Sequence, residues 1–197
     1  RLAKLTRVER EKTSNLLRPA FFHTVLLSQQ FQGVVVSDDD TFKKFLAGEH
    51  QISSFSTYQW AVYLSMNQKI SEGLMKQISL QLIVANHLFI PPVLDCLWQS
   101  FELAGFQLRK PFMTAVKGLQ IMHPGLAADR VVDFVKKLYL NAGLSVTREQ
   151  TILYLLAELS HHSQFQNIKR IMPFRVNNEF RLLPMEAKDF LKLIRSF

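Results

Sequence analysis

The chain has a single cysteine, Cys96, which excludes an internal disulfide framework and a four-cysteine zinc site. That usage suits a reducing compartment and argues against secretion. Glycine and proline number only seven each among 197 residues, too few for the many tight turns of an all-β protein, so helices are favoured. No long hydrophobic run is present: the stretch from Ile78 to Leu94 is interrupted by Gln81, Asn86, His87, Pro91 and Pro92, so no segment reads as a membrane span. Phosphate-cradling glycine loops, dinucleotide fingerprints, Gly-x-Ser-x-Gly and His-Glu-x-x-His are also missing. An enzyme is therefore the third of the readings considered, and no cofactor is expected. The chain opens on Arg1 rather than Met, as a processed protein or a trimmed one would, and any targeting signal would precede it.

What is present is a foldable composition, 48% hydrophobic and 20% charged, without a low-complexity tract or linker, so we expect one domain over residues 1–197. The net charge of +8 is uneven: residues 1–18 carry six Lys/Arg against two Glu, residues 19–68 two Lys against four acids, and the remainder is again positive. A basic excess of this size fits a polyanionic partner, because each cation set against a phosphate releases condensed counterions.

Three turn-like segments recur, around Asn67, Gly105 and Gly143, each 38 residues from the next. Asn and Gly tolerate the left-handed conformation just past a helix C-terminus, so each segment is expected to close one helix and open another. In that register the preceding helices align Tyr58/Cys96/Phe134, Val62/Ser100/Leu138, Tyr63/Phe101/Tyr139 and Met66/Ala104/Ala142, a mostly apolar face. The following helices align Ile78/Val116/Tyr154 and Ile83/Ile121/Leu159. Thr147 and Gln150 have capping-box spacing, Pro91 and Pro92 suit the first turn of the second hairpin, and Pro124-Gly125 breaks the chain before the third. Three helical hairpins are thus expected over 53–161. One or two helices broken near Pro19 fall in 1–52, with a short helix capped by Asp38–Asp40. C-terminal helices occupy 162–197, the last an amphipathic helix from Pro184 to about Arg195. The fold class expected is all-α: antiparallel helical hairpins stacked as a short α-solenoid or an irregular helical bundle.

The run Asn141-Ala142-Gly143-Leu144-Ser145-Val146-Thr147, followed by Thr151–Leu156 and Ile168–Met172, resembles the end of one pentatricopeptide repeat and much of the next; the resemblance covers about residues 71–172. It implies a hairpin solenoid that binds single-stranded RNA in mitochondria or another organelle matrix, with the cytoplasm as the other location. Leu108 and Val146 replace that family's proline after the inter-repeat glycine, its usual Thr-Tyr pair is absent, and the period is a few residues too long. No base-reading code is therefore carried over, and tetratricopeptide-like and HEAT-like scaffolds remain alternatives.

Two readings follow. In the first, a non-catalytic RNA-binding or ribonucleoprotein module presents Arg109, Lys110, Lys117, Arg130, Lys136, Lys137, Arg148, Lys169 and Arg170 to phosphates. In the second, a protein-interaction scaffold or assembly subunit uses a concave surface or its last helix to bind an acidic or amphipathic partner. That helix offers Ala187, Phe190, Leu191 and Ile194 on one side and Lys188, Lys192 and Arg195 on another, although its apolar side can equally pack back on its own domain. Glu158, His161 and His162 are expected to end a helix rather than bind metal, and Cys96 to be a buried core thiol.

Overall fold

The computed structural model describes residues 19–88, 90–93 and 95–197. The basic segment 1–18, and the part of the expected N-terminal helices that falls in it, lie outside the described residues. Among the described residues the protein is all-α apart from one very short strand pair, as its composition favours. Where one domain was expected, the chain divides into two compact units between Ser71 and Glu72.

In the first unit, α1 (Pro19–Phe31) begins on its proline, whose fixed φ and missing N–H suit a first helical turn. Next comes β1 (Val35–Val36), which pairs in parallel with β2 (Ser54–Phe55) in the register Val35 to Ser54 and Val36 to Phe55. Between them runs α2 (Asp40–His50), capped by Asp39, whose carboxylate accepts the Phe42 N–H at 2.9 Å; Asp38 instead accepts the Thr57 N–H at 2.8 Å. Val25, Val35, Phe42, Leu46 and Ile52 form the core. A capping box that the sequence spells as Ser56-x-x-Gln59 opens α3 (Thr57–Met66).

The second unit holds α4 (Glu72–Val84), α5 (Cys96–Leu103), α6 (Phe112–Gly118) with a 3₁₀ turn at Leu119–Ile121, α7 (Pro124–Leu140), a second 3₁₀ turn at Ala142–Leu144, α8 (Ser145–Ser160), α9 (Phe165–Glu179) and α10 (Pro184–Ser196). The first expected hairpin is thus shared between units, α3 in one and α4 in the other. Within the second unit α5 packs on α6 and α7 on α8, while α5 meets α7 and α6 meets α8. Helix α9 lies along α7 and carries α10. Cys96, Ser100, Phe101 and Ala104 are buried along α5 and Val131, Phe134 and Leu138 along α7, as the register anticipates, but the matching Tyr63 and Met66 of α3 are exposed. Ile121 is exposed too, because the 3₁₀ turn rotates Leu119 into the core in its place.

The three recurrent turns are built differently. Only Gly105 has the expected positive φ, at 65°, followed by Phe106 at 57°, whose N–H reaches back to the Phe101 carbonyl. Asn67 stays right-handed and donates its side-chain amide to the Tyr63 carbonyl, passing the left-handed position to Gln68 (φ 55°). Gly143 lies in the 3₁₀ turn with no positive φ. That turn feeds α8 directly, so the helix starts at Ser145 without a side-chain cap and Thr147 falls inside its first turn. Pro91 and Pro92 precede α5 in a loop rather than opening it, and Pro124 does open α7.

These backbone differences separate the glycines experimentally. Gly105→Ala is expected to cost about 1–2 kcal/mol in urea unfolding, the penalty of a left-handed Cβ, and Gly143→Ala to be close to neutral. Gly118→Ala should be worse than either, because its Cβ would run into the Ile90 carbonyl. Equal losses at positions 105 and 143 would contradict the distinction.

Candidate nucleic-acid interface

A cation already engaged by its own fold is less available to a phosphate, so the internal partners of each expected contact residue matter. Lys136 pairs with Glu179 at 3.0 Å. Lys137 bridges Asp95 at 2.7 Å and Asp133 at 3.2 Å, and Asp95 also takes Lys76 at 3.2 Å. Asp95 stands at the head of α5, yet its carboxylate makes no capping bond there and is spent on the two lysines. Hydrogen bonds from Lys137 and then Lys76 hold the Asp95 carboxyl below its ordinary pKa. Burial opposes the charge of Lys137, but Asp95 and Asp133 outweigh it and keep the ammonium above its ordinary value. Together Lys76, Lys136 and Lys137 tie α4, the head of α5, α7 and α9 to one another.

The two arginines beside the recurrent turns also act inward. Arg109 donates its Nε to the Ala104 carbonyl at 2.8 Å, and Arg148 donates its Nε to the Leu138 carbonyl at 3.2 Å while its guanidinium lies 4.7 Å from the centre of the Tyr139 ring. Both satisfy carbonyls at the C-terminal ends of α5 and α7, where a cation also complements the helix dipole. Arg130 is half-buried on α7. Lys110 and Lys117 flank a small hollow of about 230 Å³ with Asn86, Leu88, Met113 and Thr114. Lys169 and Arg170 lie on the first half of α9 and take part in no ion pair among the described residues.

The structure does not bring the nine cations to one surface. Of the C-terminal set it brings Lys188 and Arg195 together. Ala187, Phe190 and Ile194 of α10 are buried against the unit itself, so the last helix packs back on its own domain, and Lys188, Lys192 and Arg195 are exposed. Lys188 and Arg195 line a groove of about 290 Å³ with Asn177, Phe180, Arg181, Pro184, Ala187 and Leu191. Sequence reasoning missed Arg181, although its spacing of seven to Lys188 and again to Arg195 is a readable signal. Lys192 stands in a neighbouring hollow with Tyr139, Arg148, Glu149 and Asp189.

The groups weighed for chemistry do not converge. Glu158 accepts the Gln120 side chain at 3.1 Å, and burial, helped by Glu158, pushes the Tyr154 hydroxyl up to about 12. His162 turns the other way: its Nε2 meets the Met122 carbonyl at 2.8 Å and its Nδ1 accepts the Gln164 N–H at 2.9 Å, which fixes the Nε2–H tautomer. Cys96 is fully buried and its thiol is pushed up to about 11, chiefly by desolvation. No helix among the described residues is long and apolar enough to cross a membrane, and no group of three or more His, Cys, Asp or Glu residues is placed there to hold a metal. No protein-family model matches the chain, and neither a curated protein nor a solved structure matches it.

The lysine network gives a pH prediction. With Asp95 held below its unfolded value, its contribution is present above about pH 4 and lost as pH falls through the folded value. Asp95 is half exposed, so Asp95→Asn should cost no more than about 1 kcal/mol at pH 7 and less at pH 3 by urea unfolding. A loss as large at pH 3 as at pH 7 would assign the effect to packing instead.

Proposed function

We propose that the chain is a non-catalytic module that binds single-stranded RNA through those cations of its second unit that its own carboxylates leave uncommitted. The observation that carries this reading is the distribution of ion pairs. Residues 72–197 hold fifteen Lys/Arg against ten Asp/Glu. Lys76, Lys136, Lys137 and Arg175 are matched internally with Asp95, Asp133, Glu179 and Asp129. Among the described residues, Lys169, Arg170, Arg181, Lys188, Lys192 and Arg195 have no such match, and all six belong to α9, α10 or the turn between them. Lys110 and Lys117 form a second, smaller patch.

The packing of successive helices supports the repeat reading beneath this proposal. Gln120 bonds Glu158, its counterpart 38 residues on, as neighbouring copies of one hairpin would. The pentatricopeptide-like segment lies in the same unit, and a module of that kind belongs to organellar RNA processing or translation. Binding would be dominated by phosphates and therefore by salt, with sequence preference left to groups outside the cation set.

The test is fluorescence anisotropy with a mixed-sequence single-stranded RNA in low and near-physiological salt. Affinity should fall with a log–log slope of about −3 to −4, near −0.7 for each phosphate neutralised. The variant Lys169→Glu/Arg170→Glu/Lys188→Glu/Arg195→Glu should lose at least about tenfold in affinity with an unchanged circular dichroism spectrum. Lys136→Gln, which removes a fold-internal cation, should leave binding within about twofold. Wild-type affinity in the folded quadruple variant would overturn the proposal, as would the absence of binding at near-physiological salt.

A further inference from the structure

A second surface of the same unit has the opposite character. Leu140, at the end of α7, is 63% exposed, and Leu182, in the turn between α9 and α10, is 94% exposed. Both line one hollow of about 450 Å³ with Leu183, Lys136, Glu179 and Arg181. Leu140 also borders the next hollow, about 690 Å³, which contains Trp98 and Lys137. Single exposed leucines are ordinary on a protein surface, but leucines gathered in one concavity beside an indole mark a place where apolar surface is to be covered.

The charges at its rim say what covers it. Lys136 is closed on Glu179, and Lys137 on Asp95 and Asp133, so the only rim cation without a carboxylate among the described residues is Arg181. A nucleic acid gains little here, because leucines offer no flat face on which a base could stack. A second copy is also disfavoured, because two-fold pairing of this hollow would set Arg181 near its own mate between chains that each carry +8. A guanidinium beside leucines is matched by a carboxylate beside apolar side chains.

We propose that the hollow between the end of α7 and the α9–α10 turn docks an acidic amphipathic helix of a partner protein. Apolar side chains on one face of that helix cover Leu140 and Leu182, and a carboxylate on its flank meets Arg181. The site shares only Arg181 with the cationic groove of α9 and α10, and Arg181 is untouched in the quadruple variant that tests the RNA reading, so the two readings fail separately.

The test uses the full chain and a labelled synthetic helical peptide about 16 residues long, with leucines at positions i, i+4 and i+7 and glutamates beside them. Anisotropy should show saturable binding that Leu140→Asp and Leu182→Asp each weaken at least about tenfold; both side chains are exposed, so melting curves should be unchanged. Arg181→Glu should weaken binding similarly, and a peptide with lysines in place of the glutamates should bind that variant better than it binds the wild type. Equal affinity for a scrambled peptide, or for the folded leucine variants, overturns the proposal. So does displacement of the peptide by single-stranded RNA, which would make the hollow part of the nucleic-acid path. A concentration-dependent dimer in sedimentation, abolished by Leu182→Asp, would overturn the choice of occupant and assign the hollow to a second copy.

Discussion

Phe134 stands where the second unit's helices meet, and the packing around it is the constraint on which the rest depends. Its ring lies 5.4 Å from Phe101, 5.2 Å from Phe112 and 5.8 Å from Trp98, centroid to centroid, so one side chain joins α5, α6 and α7. Phe101 touches Phe112 and Phe106, and Phe112 reaches Tyr154 of α8, which extends the cluster across both hairpins. Buried aromatics gain from edge and offset contacts beyond the area they remove from water. Around this centre α7 is buried on several sides, by α5, α8 and α9, which explains why Ala127, Ala128, Val131, Val132, Val135 and Leu138 are all inaccessible and not confined to one stripe. The last two helices are fixed from there. Ile168, Met172 and Val176 repeat every four residues along α9 and are buried, and Phe180 packs on Phe190 of α10.

Much of this was legible in the sequence because it is periodic. The apolar register of α5 and α7, the proline that opens α7, the Asp39 cap and the C-terminal helix all follow from local rules that tertiary packing did not override. The turns were less legible because residue type and backbone conformation are only loosely coupled. Gln68 and Phe106 adopt positive φ without being Gly or Asn, and Gly143 does not use the freedom it has. The division after Ser71 was marked only by the change of charge after residue 68, which a single domain can equally show, and the two-residue strand pair is shorter than any pattern could announce.

The candidate site was the least legible part, since a count of lysines does not reveal which are already engaged. Arg109 and Arg148 look like exposed phosphate contacts in the sequence, yet each completes the end of the helix before it. Lys136 and Lys137 look like a basic pair, yet each meets a carboxylate 42 or 43 residues away, and only Asp133, four residues from Lys137, is on their own helix. Such long-range matches depend on the fold and not on spacing. The same folding that consumes these cations leaves the leucines beside them with little net charge around them, so one network of ion pairs separates a cationic surface from an apolar one.

That separation can be read directly by lysine footprinting: acylation of the full chain with and without single-stranded RNA, quantified residue by residue by mass spectrometry. The account predicts that RNA protects Lys169, Lys188 and Lys192, while Lys136 and Lys137, held by carboxylates, react slowly in both states. Protection centred on Lys136 and Lys137, with the α9 and α10 lysines unchanged, would contradict it.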